Sequence, residues 1–128
     1  MNVLDENILE SQRQLLRSWG IAVRQIGVEL ARKGISDADL IPFLLTLSFP
    51  TFFTRDLGFA ARPFCHTRYC LVILAVGQYE VAHFARRVLR HPSFNTSNQR
   101  MGTVIKVMPV CLSVWRVHGR RQLLFPWQ

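Results

Sequence analysis

A chain of 128 residues, 49% of them apolar, has room for one core and too much hydrophobic content to remain disordered. Its 16 basic and 8 acidic residues give a net charge of +8 and a pI near 10.7, which favours a polyanionic partner such as nucleic acid. The longest unbroken apolar run, CLVILAV at 70–76, is far short of the roughly 20 residues of a membrane span, so no membrane partner is expected.

The opening MNVLDEN predicts a short strand that ends on Asp5 and Glu6. It is acidic where a secretory leader would be basic, and the chain reads as cytoplasmic. Ile8, Leu9, Leu15, Leu16 and Trp19 recur at helical spacing and predict a helix that Gly20 stops. IAVRQIGV predicts a second strand. ELARKGISDADL follows as a loop in which Gly34 breaks the chain and Ser36 caps a helix starting near Asp37. Pro42 belongs in the first two turns of that helix or kinks it. SFPTFFTRD and YCLVILAV predict the third and fourth strands. From Gln78 to His91, Val81, Phe84, Ala85, Val88 and Leu89 share one helical face, while His83, Arg86, Arg87 and Arg90 take the other.

HPSFNTSNQR reads as a polar loop in which Arg100 touches RNA or nothing, and TVIKVMPVCLSVWRV as a hairpin at a sheet edge, turning near Pro109. A domain of residues 1–118 would then be followed by a basic and apolar tail, 119–128, with Arg120 and Arg121 beside Leu123, Leu124, Phe125 and Trp127. That tail either packs back on the domain or forms a partner surface, as in a homodimer. Cys65, Cys70 and Cys111 form no CxxC pair, and their odd number speaks for reduced thiols. Nothing near Cys65 and His66 completes a zinc site or a thiol nucleophile.

Strands alternating with helices predict an α/β fold with a mostly parallel sheet covered on both faces. In such sheets ligands bind beyond the carboxyl ends of the strands, near the reversal of strand order. Asp5 and Asp56 fall at the carboxyl ends of strands one and three. Asp37 and Asp39 open the helix after strand two, on the same rim. Two carboxylates about 4 Å apart repel by roughly 4 kcal/mol at an effective dielectric near 20, so such a group must take up protons or a cation. Oxygen-only ligands suit Mg²⁺ or Mn²⁺. Plainer roles stand beside this one: Asp5 capping the first helix, Asp37 and Asp39 complementing a helix dipole, and Asp56 turning a strand end beside Arg55.

VLDENI, GISDADLI and TFFTRDLGF, in this order and at these separations, resemble the three acidic motifs of the PIN-like nucleases. The closest resemblance is to a short bacterial branch predicted to act as toxins of toxin–antitoxin pairs, and it covers roughly residues 1–76. It implies a three-layer α/β/α fold with a C-terminal hairpin and a Mg²⁺- or Mn²⁺-dependent ribonuclease, with a protein antitoxin as partner. Asp5, Asp37 and Asp56 would be its metal-binding and catalytic carboxylates, with Glu6, Asn7 and Asp39 as secondary contributors. The pattern departs at Gly58, where relatives often carry a further acid. The arginines Arg55, Arg62 and Arg68 would meet substrate phosphate near the rim. Arg86, Arg87 and Arg90 are either a solvated helix face or an RNA-binding one. Phe59, Phe64 and Tyr69 either stack on bases or pack in the core.

Overall fold

The computed structural model describes residues 1–127, which run in chain order as β1 (Asn2–Leu4), α1 (Glu10–Ser18), β2 (Arg24–Gln25), α2 (Asp37–Leu44), β3 (Thr51–Thr54), β4 (Cys70–Leu74), α3 (Val81–Arg90), α4 (Ser97–Arg100), β5 (Thr103–Val107), β6 (Cys111–Arg116) and β7 (Leu123–Pro126). The strands form one sheet in the order β2-β1-β3-β4-β5-β6-β7. The first four pairings are parallel and the last two antiparallel. Every residue of β3 and β4 is buried, as strands covered on both faces require.

Side chains alternate across the pleat and divide the core in two. Leu4, Phe53, Val72, Leu74 and Ile105 face a layer built from Leu16 of α1, Phe84, Ala85 and Val88 of α3, and Phe94. Val3, Phe52, Leu71, Ile73 and Val104 face Leu40 and Leu44 of α2, Phe59 and Tyr69. The crossover from β3 to β4 carries no α-helix. It passes instead through two 3-10 turns, Leu57–Phe59 and Arg62–Phe64.

Local chemistry accounts for the helix limits. The Ser36 hydroxyl accepts the Asp39 N–H at 3.2 Å and starts α2. Pro42 lies in the second turn of α2, and the helix ends two residues later. In α1, Glu10 stands in the first turn and Arg17 in the last, each matching the helix dipole. Among the described residues no helix is long and apolar enough to cross a membrane.

Several elements differ from the sequence expectation. The second strand shrinks to two residues, because Gln25 turns its side chain to the β1 end and Gly27, at φ +82°, takes the chain away from the sheet. The polar stretch after α3 contains α4, closed by reciprocal bonds between Thr96 and Gln99. The C-terminal tail packs back as β7, so the β5–β6 hairpin is not the sheet edge. It is held by more than ladder bonds: the Trp127 indole N–H donates to Met108 O at 3.0 Å, the His91 Nε2 lies 2.8 Å from Pro126 O, and Phe125 packs edge-on against Phe94.

Candidate functional site

The chain leaves β1 on one side to form β2, then crosses back to form β3 on the other side. Strand order therefore reverses between β1 and β3, and a crevice opens beyond their carboxyl ends. A cleft of about 380 Å³ lies there, lined by Asp5, Glu6, Asp37, Arg55 and Asp56 with apolar Ile35 and Leu40.

One hydroxyl joins the two strand ends. Thr54 Oγ1 donates to Asp5 Oδ2 at 2.6 Å and accepts the Asp56 N–H at 3.0 Å. The other Asp5 oxygen accepts the Glu6 N–H at 2.8 Å. The buried Gln25 side chain fixes the main chain beneath, donating to Asp5 O at 3.0 Å and to Ile8 O at 2.8 Å. Burial pushes the Asp5 carboxyl above the usual range; the bonds from Thr54 and Glu6 N–H oppose this, and the charges of Glu6 and Asp56 add to it.

Asp5 does not cap α1, whose N-cap residue is Leu9 and has no side-chain capping bond. Asp56 does serve its strand end: its Oδ1 accepts the Gly58 N–H at 2.9 Å and caps the following 3-10 turn. A Cβ at position 58 would lie 3.1 Å from that oxygen, so any side chain there would push the Asp56 carboxylate by a few tenths of an ångström. Glu6 lines the cleft, but its carboxylate accepts the Gly34 N–H at 2.9 and 3.1 Å and ties the loop before α2 to the end of β1. Asp37 stands exposed across the cleft at the first residue of α2. Asp39, two residues on, does not line the cleft.

Arg55 donates through Nε and Nη2 to Val76 O at 3.1 and 3.0 Å, spanning the ends of β3 and β4 beside the acids. Arg62 sits in the second 3-10 turn and does not line the cleft. Arg68 precedes β4, whose first residue pairs with the first of β3, so it belongs to the opposite rim. Arg86, Arg87 and Arg90 gather on the outer side of α3, away from the acids. Arg100 is buried, donating to Thr51 Oγ1 at 3.0 Å and Phe94 O at 2.8 Å, and is no surface contact. Phe59 and Tyr69 are core residues.

The three cysteines form no disulfide among the described residues, and burial pushes the Cys70 thiol up to about 12, the value of an inert side chain. Thr54 and Gln25 are the site residues that sequence reasoning missed. The Thr-x-Asp spacing of 54–56 is a local signal for the first.

Among the described residues no three of the His, Cys, Asp and Glu side chains stand close enough together to hold a metal ion. Mg²⁺ needs less than that: it keeps most of its waters and binds through one or two carboxylates plus substrate phosphate. The oxygen-only donors and the raised Asp5 carboxyl fit such an ion. The chain matches no protein-family model, no curated protein and no solved structure.

Proposed function

We propose that the chain is a PIN-like, Mg²⁺- or Mn²⁺-dependent endoribonuclease whose protein ligands are Asp5 and Asp56, with Asp37 facing them across the cleft. The observation that carries this is the Thr54 hydroxyl that ties the Asp5 carboxylate to the Asp56 main chain, so that both acids line one cleft at the reversal of strand order, in a chain with a net charge of +8. Burial and neighbouring negative charge leave Asp5 short of compensation, which a cation relieves. A divalent ion there would supply an activated water and neutralise charge developing on a phosphodiester. Arg55 would hold an adjacent phosphate. Asp37 would orient the attacking water or a water bound to the ion. On the resemblance alone, a protein antitoxin is the proposed partner.

A second reading is a nucleic-acid-binding module without catalysis. It is favoured by the Gly58 N–H that already occupies one Asp56 oxygen and by the lack of a close three-ligand set among the described residues. Labelled single-stranded RNA incubated with Mn²⁺, with EDTA, and with the Asp56→Asn protein separates the two. Cleavage that needs Mn²⁺ and falls by about 100-fold or more in the variant supports the nuclease. RNA bound but intact in all three selects the binding module.

A further inference from the structure

α3 buries Val81, Phe84, Ala85 and Val88 against the sheet, which leaves Arg86, Arg87 and Arg90 on its outer side. These side chains are not free to wander. The Arg86 guanidinium carbon lies 3.7 Å from the centre of the Trp19 ring, at the end of α1, and that of Arg87 lies 4.1 Å from the centre of the Trp127 ring, beyond β7. Both indoles are themselves fixed. Trp19 packs edge-on against His83 at 5.1 Å, and Trp127 bonds to Met108 O and packs on Phe84 at 5.8 Å. With Arg90 the two stacked arginines line a groove of about 270 Å³ that Pro92 and Trp127 complete.

None of the three is neutralised by an Asp or Glu. The ion pairs among the described residues join Arg13 or Arg17 to Glu10 or Glu29. Three like charges around one groove repel, and a merely solvated face would let them spread. Here the rings hold two of them in place. A guanidinium flat on a ring keeps its N–H edge available for phosphate oxygens in a bidentate pair, and it loses little side-chain freedom on binding. With the indoles covered by the arginines, the outward guanidinium planes offer stacking surface to unpaired bases, which a duplex cannot use.

We propose that this α1–α3 face binds the backbone of single-stranded nucleic acid, at a site separate from the carboxylate cleft. It does not depend on cleavage, and its test runs in EDTA so that failure of the nuclease reading leaves it untouched. The probe is a fluorescein-labelled single-stranded oligouridylate of about 12 nucleotides, titrated by anisotropy at several KCl concentrations. The Arg86→Gln/Arg87→Gln/Arg90→Gln protein should bind at least tenfold more weakly, and the slope of log K against log[KCl] should flatten by about 2, three lost contacts at roughly 0.7 each. Arg24→Gln/Arg120→Gln/Arg121→Gln removes equal charge elsewhere and should keep the slope. Equal losses in both triple variants would mean that net charge alone acts and would overturn the site. A duplex of the same length bound as tightly as the single strand would overturn its single-strand character. Should the first triple variant fail to fold, Arg90→Gln, which leaves both stacks intact, should still flatten the slope by about 0.7, and an unchanged slope would refute the proposal.

Discussion

Burial between the ends of β1 and β3 holds the Asp5 carboxyl above the usual carboxylate range. Its folded pKa is raised, so the native protein binds this proton more tightly than the unfolded chain does. The group's contribution therefore favours folding as pH falls through the raised pKa, and it costs stability once pH rises above it. In EDTA, thermal melting of Asp5→Asn should lack this component and show a higher Tm than wild type at neutral pH, because asparagine keeps an acceptor for Thr54 without the buried charge. Mn²⁺ should raise the Tm of wild type and leave the variant unmoved; equal shifts in both would count against Asp5 as a ligand. Under the proposed function, protons would compete with the ion for the Asp5 oxygens, and cleavage should decline on the acid side. Thr54→Val keeps the shape but removes the hydroxyl that serves Asp5 and the Asp56 N–H. It should cost about 1–3 kcal/mol in denaturant unfolding and lower the cleavage rate, with Thr54→Ser restoring both.

Elements differ in how much of themselves they write into the sequence. The apolar run of β4 and the 3.6-residue period of α3 are local signals, and both elements appear where the pattern puts them. α4 is one turn with no apolar stripe, so only the Thr96-x-x-Gln99 capping box announces it. The buried Arg100 that ends it bonds to Phe94 O six residues back and to Thr51 Oγ1, and the second partner lies in no window around residue 100. Arg100→Met should cost about 2 kcal/mol or more by leaving Phe94 O unpaired, read as a lower denaturant midpoint without loss of the carboxylate cleft. β7 is short, ends in proline and follows GRRQ, which explains its reading as a tail. Truncation after residue 118 is a direct measure of its structural weight. It strips the edge of β6 and uncovers Phe94 and Phe84, so a drop in stability of more than about 3 kcal/mol is expected; an unaffected melting curve would show 119–128 to be dispensable.

Across the whole molecule, the topology and the charge map agree. Five of the eight carboxylates, Asp5, Glu6, Asp37, Asp39 and Asp56, belong to the rim at the carboxyl ends of β1 and β3 and the start of α2. That convergence was legible because acids at strand ends and helix starts share a rim in any parallel α/β sheet. What could not be read was the hydroxyl linking the Asp5 carboxylate to the Asp56 main chain, since Thr54 and Asp5 are 49 residues apart and neither residue's neighbours mention the other. The parting of the arginines was equally hidden: Arg55 stays with the acids, Arg68 goes to the opposite rim, and Arg86, Arg87 and Arg90 move to a helical face, according to how each crossover is routed.

The pairing of β1 with β3 has a further bearing on when the molecule becomes competent. Asn2 meets Thr51 only after nearly fifty intervening residues are drawn into a closed loop, whereas β5, β6 and β7 adjoin one another through short connections. Local contacts form faster than distant ones. During refolding, amide protection should therefore arise in the C-terminal meander before β1, and the two acids should come together among the last events. A chain still folding would carry its basic charge from the outset but bring its acidic cleft together only at the end.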